Sequence, residues 1–256
     1  MISNVLVIMT LSTFGHRLHA FYSSLDLTTP LPQGIGVMNP YKNHATMRCV
    51  EQFCSMFYND NVERISVWGI NPGRFGGGVT GLSFTDPVIL REVCGIETNV
   101  GTQRELSAEY VWQVIEAFGT MQGQNEGLGE ISKKQGAERF FGHFFLTALC
   151  PLGFVQETPK GIVNYNFYDD KALTAAVLPF MTATMRHQCE ELGLRRDVAI
   201  CFGTGKLYAA FEALNAKHHF FERILPLEHP RFIMQYRRKQ LQDYIRKYCE
   251  TLQSVL

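Results

Sequence analysis

Apolar residues along this chain fall into two alternating rhythms. Four short, nearly unbroken apolar runs stand out: Ile65-Ser66-Val67-Trp68, Phe144 to Leu149, Val198 to Phe202, and Ile224-Leu225-Pro226-Leu227. They are rich in β-branched and aromatic residues and are bounded by glycine or proline, so they predict buried strands. Around them apolar residues recur at helical spacing: Val50, Phe53, Cys54 and Phe57; Val111, Val114, Ile115 and Phe118; Leu173, Ala176, Val177 and Phe180; Leu207, Ala210, Phe211 and Leu214; Leu241, Tyr244, Ile245 and Tyr248. Each set marks the buried stripe of an amphipathic helix. Ser107 is the expected N-cap of the second helix. Pro179 is expected to kink or restart the third. Helices alternating with strands predict an α/β fold, three layers deep, α/β/α, with a central, mostly parallel four-stranded sheet.

Three segments lack either rhythm. Residues 23–43 carry three prolines and two glycines and predict a loop over the surface. Residues 119–137 are polar and glycine-rich and predict a connection. Residues 154–170 predict an irregular segment carrying Asn164, Tyr165, Asn166 and Tyr168. The first 21 residues are apolar but interrupted by Thr and Ser, with no Lys or Arg ahead of the apolar stretch. They suit neither a signal peptide nor a membrane span and predict a helix or strand packed on the body, or an upstream extension. A single domain over 1–256 is expected, with 1–43 as an N-terminal extension.

Right-handed crossovers bring the exits of parallel strands to one edge of the sheet. Asn71, the turn after Leu152 and His229 are therefore expected to share a cleft, although they are distant in sequence. The first strand empties into Gly69-Ile70-Asn71-Pro72-Gly73, with Gly76, Gly77, Gly78 and Gly81 close behind. Glycines let backbone approach a ligand closely. A phosphate loop does not fit, because both the Gly-x-x-x-x-Gly-Lys-Ser/Thr and the Gly-x-Gly-x-x-Gly spacings are missing. Taken singly, Asn71 reads as an Asx-turn residue and His229 as a structural histidine held extended by Pro230.

Charge narrows the partners. Lys+Arg and Asp+Glu are both 24 in 256 residues, so any nucleic acid must meet a local patch. One candidate is Arg231, Arg237, Arg238, Lys239, Arg246 and Lys247, opposed in that stretch only by Asp243. Phe232, Ile233 and Met234 lie beside it and could wedge into stacked bases or simply pack inward. Seven scattered cysteines without a Cys-x-x-Cys pair argue against a disulfide framework or a metal site and suit a reducing cytoplasm. No cofactor is expected.

Together these residues resemble the single-strand-selective monofunctional uracil-DNA glycosylase family. Gly69-Ile70-Asn71-Pro72-Gly73, Phe75-Gly76 and Thr80-Gly81-Leu82-Ser83-Phe84 match its first motif at the same spacing, Leu149-Cys150-Pro151-Leu152 matches its second turn, and His229-Pro230 its last motif. The similarity spans roughly residues 60–250. It implies a bacterial-type repair enzyme that flips a damaged base from single- or double-stranded DNA and hydrolyses its N-glycosidic bond. Asn71 would position water and His229 would hydrogen-bond the departing base. Ile70, Gly73 and Phe84 would line the base pocket, with Phe84 stacking and Gly73 leaving room at the pyrimidine 5-position. Arg231, Phe232, Ile233, Arg237 and Lys239 would meet DNA.

Two positions depart from the family. The Asn that reads the base edge is replaced by Ala148, so that contact is expected from Asn164 or Asn166, with Asn166 favoured. After His229-Pro230 the chain continues Arg231-Phe232-Ile233 instead of Ser-Pro-Arg. Both departures suggest an altered base range, reaching 5-substituted uracils, hypoxanthine or xanthine. A monomer without a lyase step is expected, since no lysine stands out among the strand exits. Two other readings remain: a non-catalytic DNA- or nucleotide-binding module, and a hydrolase of free nucleosides, which the basic face disfavours.

Overall fold

The computed structural model describes residues 12–127 and 129–256. The chain runs α1 (Phe14–Ser24), β1 (Ile35–Met38), α2 (His44–Phe57), β2 (Arg64–Gly69), the short α3 (Gly77–Thr80) and α4 (Pro87–Glu92), then α5 (Leu106–Asn125), α6 (Lys133–His143) and β3 (Phe144–Ala148). A hairpin of β4 (Gly153–Thr158) and β5 (Gly161–Tyr165) follows. The rest is α7 (Lys171–Glu191), β6 (Leu194–Phe202), α8 (Lys206–His218), β7 (Arg223–Leu227), α9 (Pro230–Tyr236) and α10 (Leu241–Gln253).

The four apolar runs form one parallel sheet in the order β3-β2-β6-β7. Every residue of β2 and β3 is buried, as strands covered on both faces require. Neighbouring side chains point to opposite layers. Phe144 meets Phe118 of α5 at 5.5 Å between ring centroids, whereas Phe145 meets Phe14 of α1 at 5.3 Å. Trp68 packs on Phe211 of α8, and Phe202 packs on Tyr248 of α10. The α/β/α layering is therefore as the sequence pattern predicts. Registers Gly69↔Ala148 and Phe202↔Leu227 bring the strand exits to a common edge.

The segments without periodicity hold more structure than expected. The loop predicted over 23–43 contains β1, which pairs antiparallel with β4. The irregular stretch 154–170 begins with the β4–β5 hairpin, whose β5 residues 161–164 are all exposed. An exposed strand needs no apolar alternation and is held by its hydrogen bonds. The connection predicted over 119–137 is largely helical: α5 continues to Asn125, and α6 starts behind a capping box of Ser132 and Gln135. Two of its glycines, Gly119 and Gly136, are packing residues, whereas Gly127, at φ 74°, is a turn residue just past the end of α5. A Cβ on Gly119 would lie 2.3 Å from the Cα of Gly136, so the two helices cross with their backbones in contact. Pro179 neither ends nor restarts α7, which runs through it. The proline is exposed, so water can reach the carbonyl group that lost its N–H partner. The N-cap of α5 is Glu105 and not Ser107: its Oε2 accepts the Ala108 N–H at 2.9 Å.

Of the segment expected as an N-terminal extension, α1 is packed into the core, with Phe14, Leu18, Phe21 and Tyr22 buried. The expectations for residues 1–11 lie outside the described residues. Among the described residues no helix is long and apolar enough to cross a membrane.

Candidate active site

A cleft of about 490 Å³ opens at the strand-exit edge. Gly69 to Gly73 and Ala148 form its floor, and Gly203 to Leu207 with His229 form one wall. Its mouth lies between two lips. One is the β5 exit, with Asn164, Asn166 and Tyr168; the other is α9, with Arg231, Phe232, Gln235 and Tyr236. Asn71 and His229 converge as expected, whereas no residue of the turn after Leu152 lines the cleft.

The floor is fixed by main-chain bonds between strand exits. The Leu149 N–H donates to the Gly69 carbonyl at 3.0 Å, and the Cys150 N–H donates to that of Ile70 at 3.1 Å. Ile70 is half-buried on the cleft wall. Asn71 is clamped from the hairpin side. Its Nδ2 donates to the Tyr165 carbonyl at 3.2 Å, and its Oδ1 accepts the Phe167 N–H at 3.1 Å. One N–H and one oxygen lone pair remain for the cleft.

Phe84 has a left-handed backbone, φ 53°, and its ring lies directly on Gly69. A Cβ at Gly69 would stand 2.6 Å from the Phe84 Cζ. Only glycine lets the ring lie flat on the strand exit, where its other neighbour is Phe202, 5.4 Å away. Gly69→Ala should displace the ring and destabilise the fold by about 1–3 kcal/mol. Thermal melting and oligonucleotide cleavage read the two effects, and an unchanged melting temperature would mean that the contact is soft.

His229 caps the N-terminus of α9. Its Nδ1 accepts the Arg231 N–H at 3.1 Å. The neutral ring must then carry its proton on Nε2. Burial, and secondarily the nearby Arg231 charge, lower its pKa from 6.5 to about 4. At neutral pH this residue is therefore an uncharged Nε2–H donor on the cleft wall.

Both asparagines proposed to read a base line the cleft, but they are engaged differently. The Asn166 Nδ2 and backbone N–H both donate to Asp169 Oδ2, each at 2.9 Å. The Asn164 Oδ1 accepts the Arg74 N–H at 3.1 Å. Its Nδ2 lies 3.4 Å from the place a Cβ on Gly73 would occupy, so the space beside Gly73 is bounded by this amide.

On the other lip, Arg231 and Phe232 are exposed. Arg237 stacks over the Phe232 ring at 5.1 Å. Lys239 is exposed beyond the end of α9. Ile233 corrects the expectation: it is 0 % exposed and belongs to the core. Helical spacing turns Pro230, Ile233 and Met234 inward together. The basic face is also smaller than its sequence suggests, because Lys247 pairs with Glu228 and Arg246 with Asp243. Among the described residues, Arg231, Arg237, Arg238 and Lys239 make no ion pair.

Sequence reasoning missed Glu105, Tyr168, Lys206 and Tyr236. Lys206 follows the Gly203-Thr204-Gly205 strand exit, the same signal that singled out Asn71, so the expectation that no lysine stands at a strand exit is corrected. Its Nζ lies 5.8 Å from the centre of the Tyr168 ring. Glu105 was hidden as a helix cap.

An α/β/α sandwich with a glycine-rich first exit and a histidine at the last exit defines a class. The profile of the Uracil DNA glycosylase superfamily matches residues 56–253, and the chain belongs to that superfamily. It is a DNA glycosylase, a hydrolase of N-glycosyl bonds. Its structure is similar to the crystal structure of wild-type Pedobacter heparinus SMUG2, with a TM-score of 0.86 and 41% sequence identity. The match covers 95% of this chain and 98% of that one. No curated protein sequence matches.

Proposed function

We propose that this enzyme removes uracil and related deaminated bases from DNA, with the damaged nucleotide flipped into the cleft. The observation that carries this reading is the pairing of a neutral Nε2–H donor, His229, with the clamped amide of Asn71 in one cleft. Cleaving the N-glycosidic bond builds positive charge on the sugar and negative charge on the leaving base. Asn71 cannot take a proton from water, but its free lone pair can orient one. His229 donates Nε2–H to the base oxygen as charge develops there, and because it is already neutral it need not lose a proton first. Phe84 stacks on the base, with Ile70 beside it and Gly73 next to the pyrimidine 5-position.

Ala148 leaves the floor without a side-chain amide, and with more room, where the family carries Asn. This supports a range that includes 5-substituted uracils, hypoxanthine and xanthine, whose extrusion as mispaired bases costs less than that of a normal base. The enzyme works as a monomer in the bacterial cytoplasm. The seven cysteines, all buried and unpaired, suit that reducing compartment. The test is an oligonucleotide panel carrying uracil, 5-hydroxymethyluracil, hypoxanthine or xanthine, with alkaline scission at abasic sites as readout. Uracil should be cleaved first; cleavage of none would defeat the reading.

Hydrolysis is proposed to be monofunctional. The Lys206 ammonium sits over an aromatic ring at the rim, and water at Asn71 is the attacking group. Borohydride should therefore trap no covalent DNA adduct, and a trapped adduct lost in Lys206→Ala would establish a lyase step. Arg231, Phe232, Arg237 and Lys239 form the DNA-facing lip. Arg237→Gln should weaken binding at every sequence and reduce the slope of log K against log salt by about 0.7 on single-stranded DNA. An unchanged slope would remove Arg237 from the phosphate contacts.

A further inference from the structure

We propose that Asn164 reads the edge of the flipped base, and that it reads as a donor only, so the enzyme selects bases bearing a carbonyl oxygen and rejects those bearing an amino group. The inference rests on the proposed function and names the residue that sets its base range. Three observations carry it.

The first is the orientation of the amide. Asn164 Oδ1 is held by the Arg74 N–H on the glycine-rich loop. With its oxygen turned to the loop, the amide sets its NH₂ on the side of Gly73, and Nδ2 makes no hydrogen bond to any described residue. The loop thus removes the ambiguity that would let a free Asn accept as readily as donate. The β5 exit cannot easily swing away, because Asn71 pins Tyr165 and Phe167 just beyond it.

The second is position. Asn164 Nδ2 stands beside Gly73, 3.4 Å from a Cβ built there. If Gly73 faces the pyrimidine 5-position, its neighbours on the ring are positions 4 and 6, of which only position 4 carries a polar atom. A donor beside Gly73 therefore meets O4 of uracil, and in a purine lying in the same sense it meets O6 of hypoxanthine or xanthine. Cytosine and adenine present N4–H₂ and N6–H₂ there, so two donors would face each other with water excluded.

The third is that neither other position expected to read the base offers a free side-chain amide. The Ala148 side chain carries no polar atom, and the Asn166 amide is turned to Asp169. Asn164 is exposed in the free enzyme, so its donor is hydrated until a base covers it. The reading is made when DNA closes the mouth.

Single-turnover cleavage of single-stranded oligonucleotides bearing uracil or cytosine at one position tests this. Asn164→Ala should lower kcat/KM on uracil about tenfold. Asn164→Asp is the sharper variant. It keeps an oxygen for the Arg74 N–H, so the loop stays tied, but it turns an acceptor toward the base. Uracil cleavage should fall and cytosine cleavage should appear above the wild-type background, inverting the preference in a way that mere disorder of the hairpin would not. Wild-type kcat/KM on uracil in both variants, or a tenfold loss in Asn166→Ala with none in Asn164→Ala, would overturn the proposal while leaving the glycosylase function standing. Failure of the wild type on every deaminated base would instead reject the function on which it rests.

Discussion

His229→Ala is expected to lower the single-turnover rate on a uracil-containing oligonucleotide by roughly 10²–10³-fold, about 2.7–4 kcal/mol of transition-state stabilisation. The size follows from the chemistry of the leaving group. In the proposed mechanism Asn71 is neutral and can only orient water, so the barrier would fall mainly by stabilising the departing base. His229 is the side chain on the cleft wall whose tautomer is fixed to do so: Nδ1 is occupied by the Arg231 N–H. The donor is in place before charge develops, and little reorganisation is required when it does. Binding should change far less than the rate, because the base oxygen is a much weaker acceptor in the ground state. A variant that loses affinity but keeps its rate would make His229 a binding residue only.

Asn71→Asp carries the second large effect, and its direction is not the obvious one. A carboxylate could serve as a general base, which alone would raise the rate. The clamp argues otherwise. Asn71 Nδ2 donates to the Tyr165 carbonyl at 3.2 Å, and in the Asp variant two oxygens would face each other there. The carboxylate can keep the Phe167 N–H, but it must turn from Tyr165 or take up a proton. Either response frees the β5 exit that carries Asn164. The rate is expected to fall by roughly tenfold or more, and the melting temperature to fall with it, by an amount equivalent to about 1–3 kcal/mol for the unpaired carbonyl. Asn71→Ala should abolish most of the activity by removing the water contact. A faster Asp variant with unchanged melting would show that the clamp is dispensable.

These effects rest on features that the sequence revealed unevenly. The parallel sheet was legible because its strands are buried on both faces and read as continuous apolar runs. Asn71 and His229 were legible because strand exits converge by topology. Hairpin β4–β5 was not, because β5 is exposed and shows no alternation. Yet it supplies the clamp on Asn71 and one lip of the cleft. Gly119 and Gly136 read as loop glycines although they mark a helix crossing. Ile233, in an apolar triplet beside a basic stretch, read as a DNA-facing wedge or as core contact, and only the start of α9 at Pro230 fixes it inward. Which of Asn164 and Asn166 keeps a free NH₂ in the cleft depends on Arg74 and Asp169, partners that spacing alone does not name.

The central claim is that His229 acts as a neutral donor in this cleft, and the pH dependence of the wild-type enzyme tests it most directly. Single-turnover cleavage of a uracil-bearing single strand should stay level between about pH 5 and 8, because burial and then Arg231 hold the imidazole pKa down to about 4. Protonation would cost His229 its bond from the Arg231 N–H, so the acid limb should begin only as the pH approaches that value. A rate that instead rises or falls through pH 6.5, the ordinary histidine range, would contradict the account.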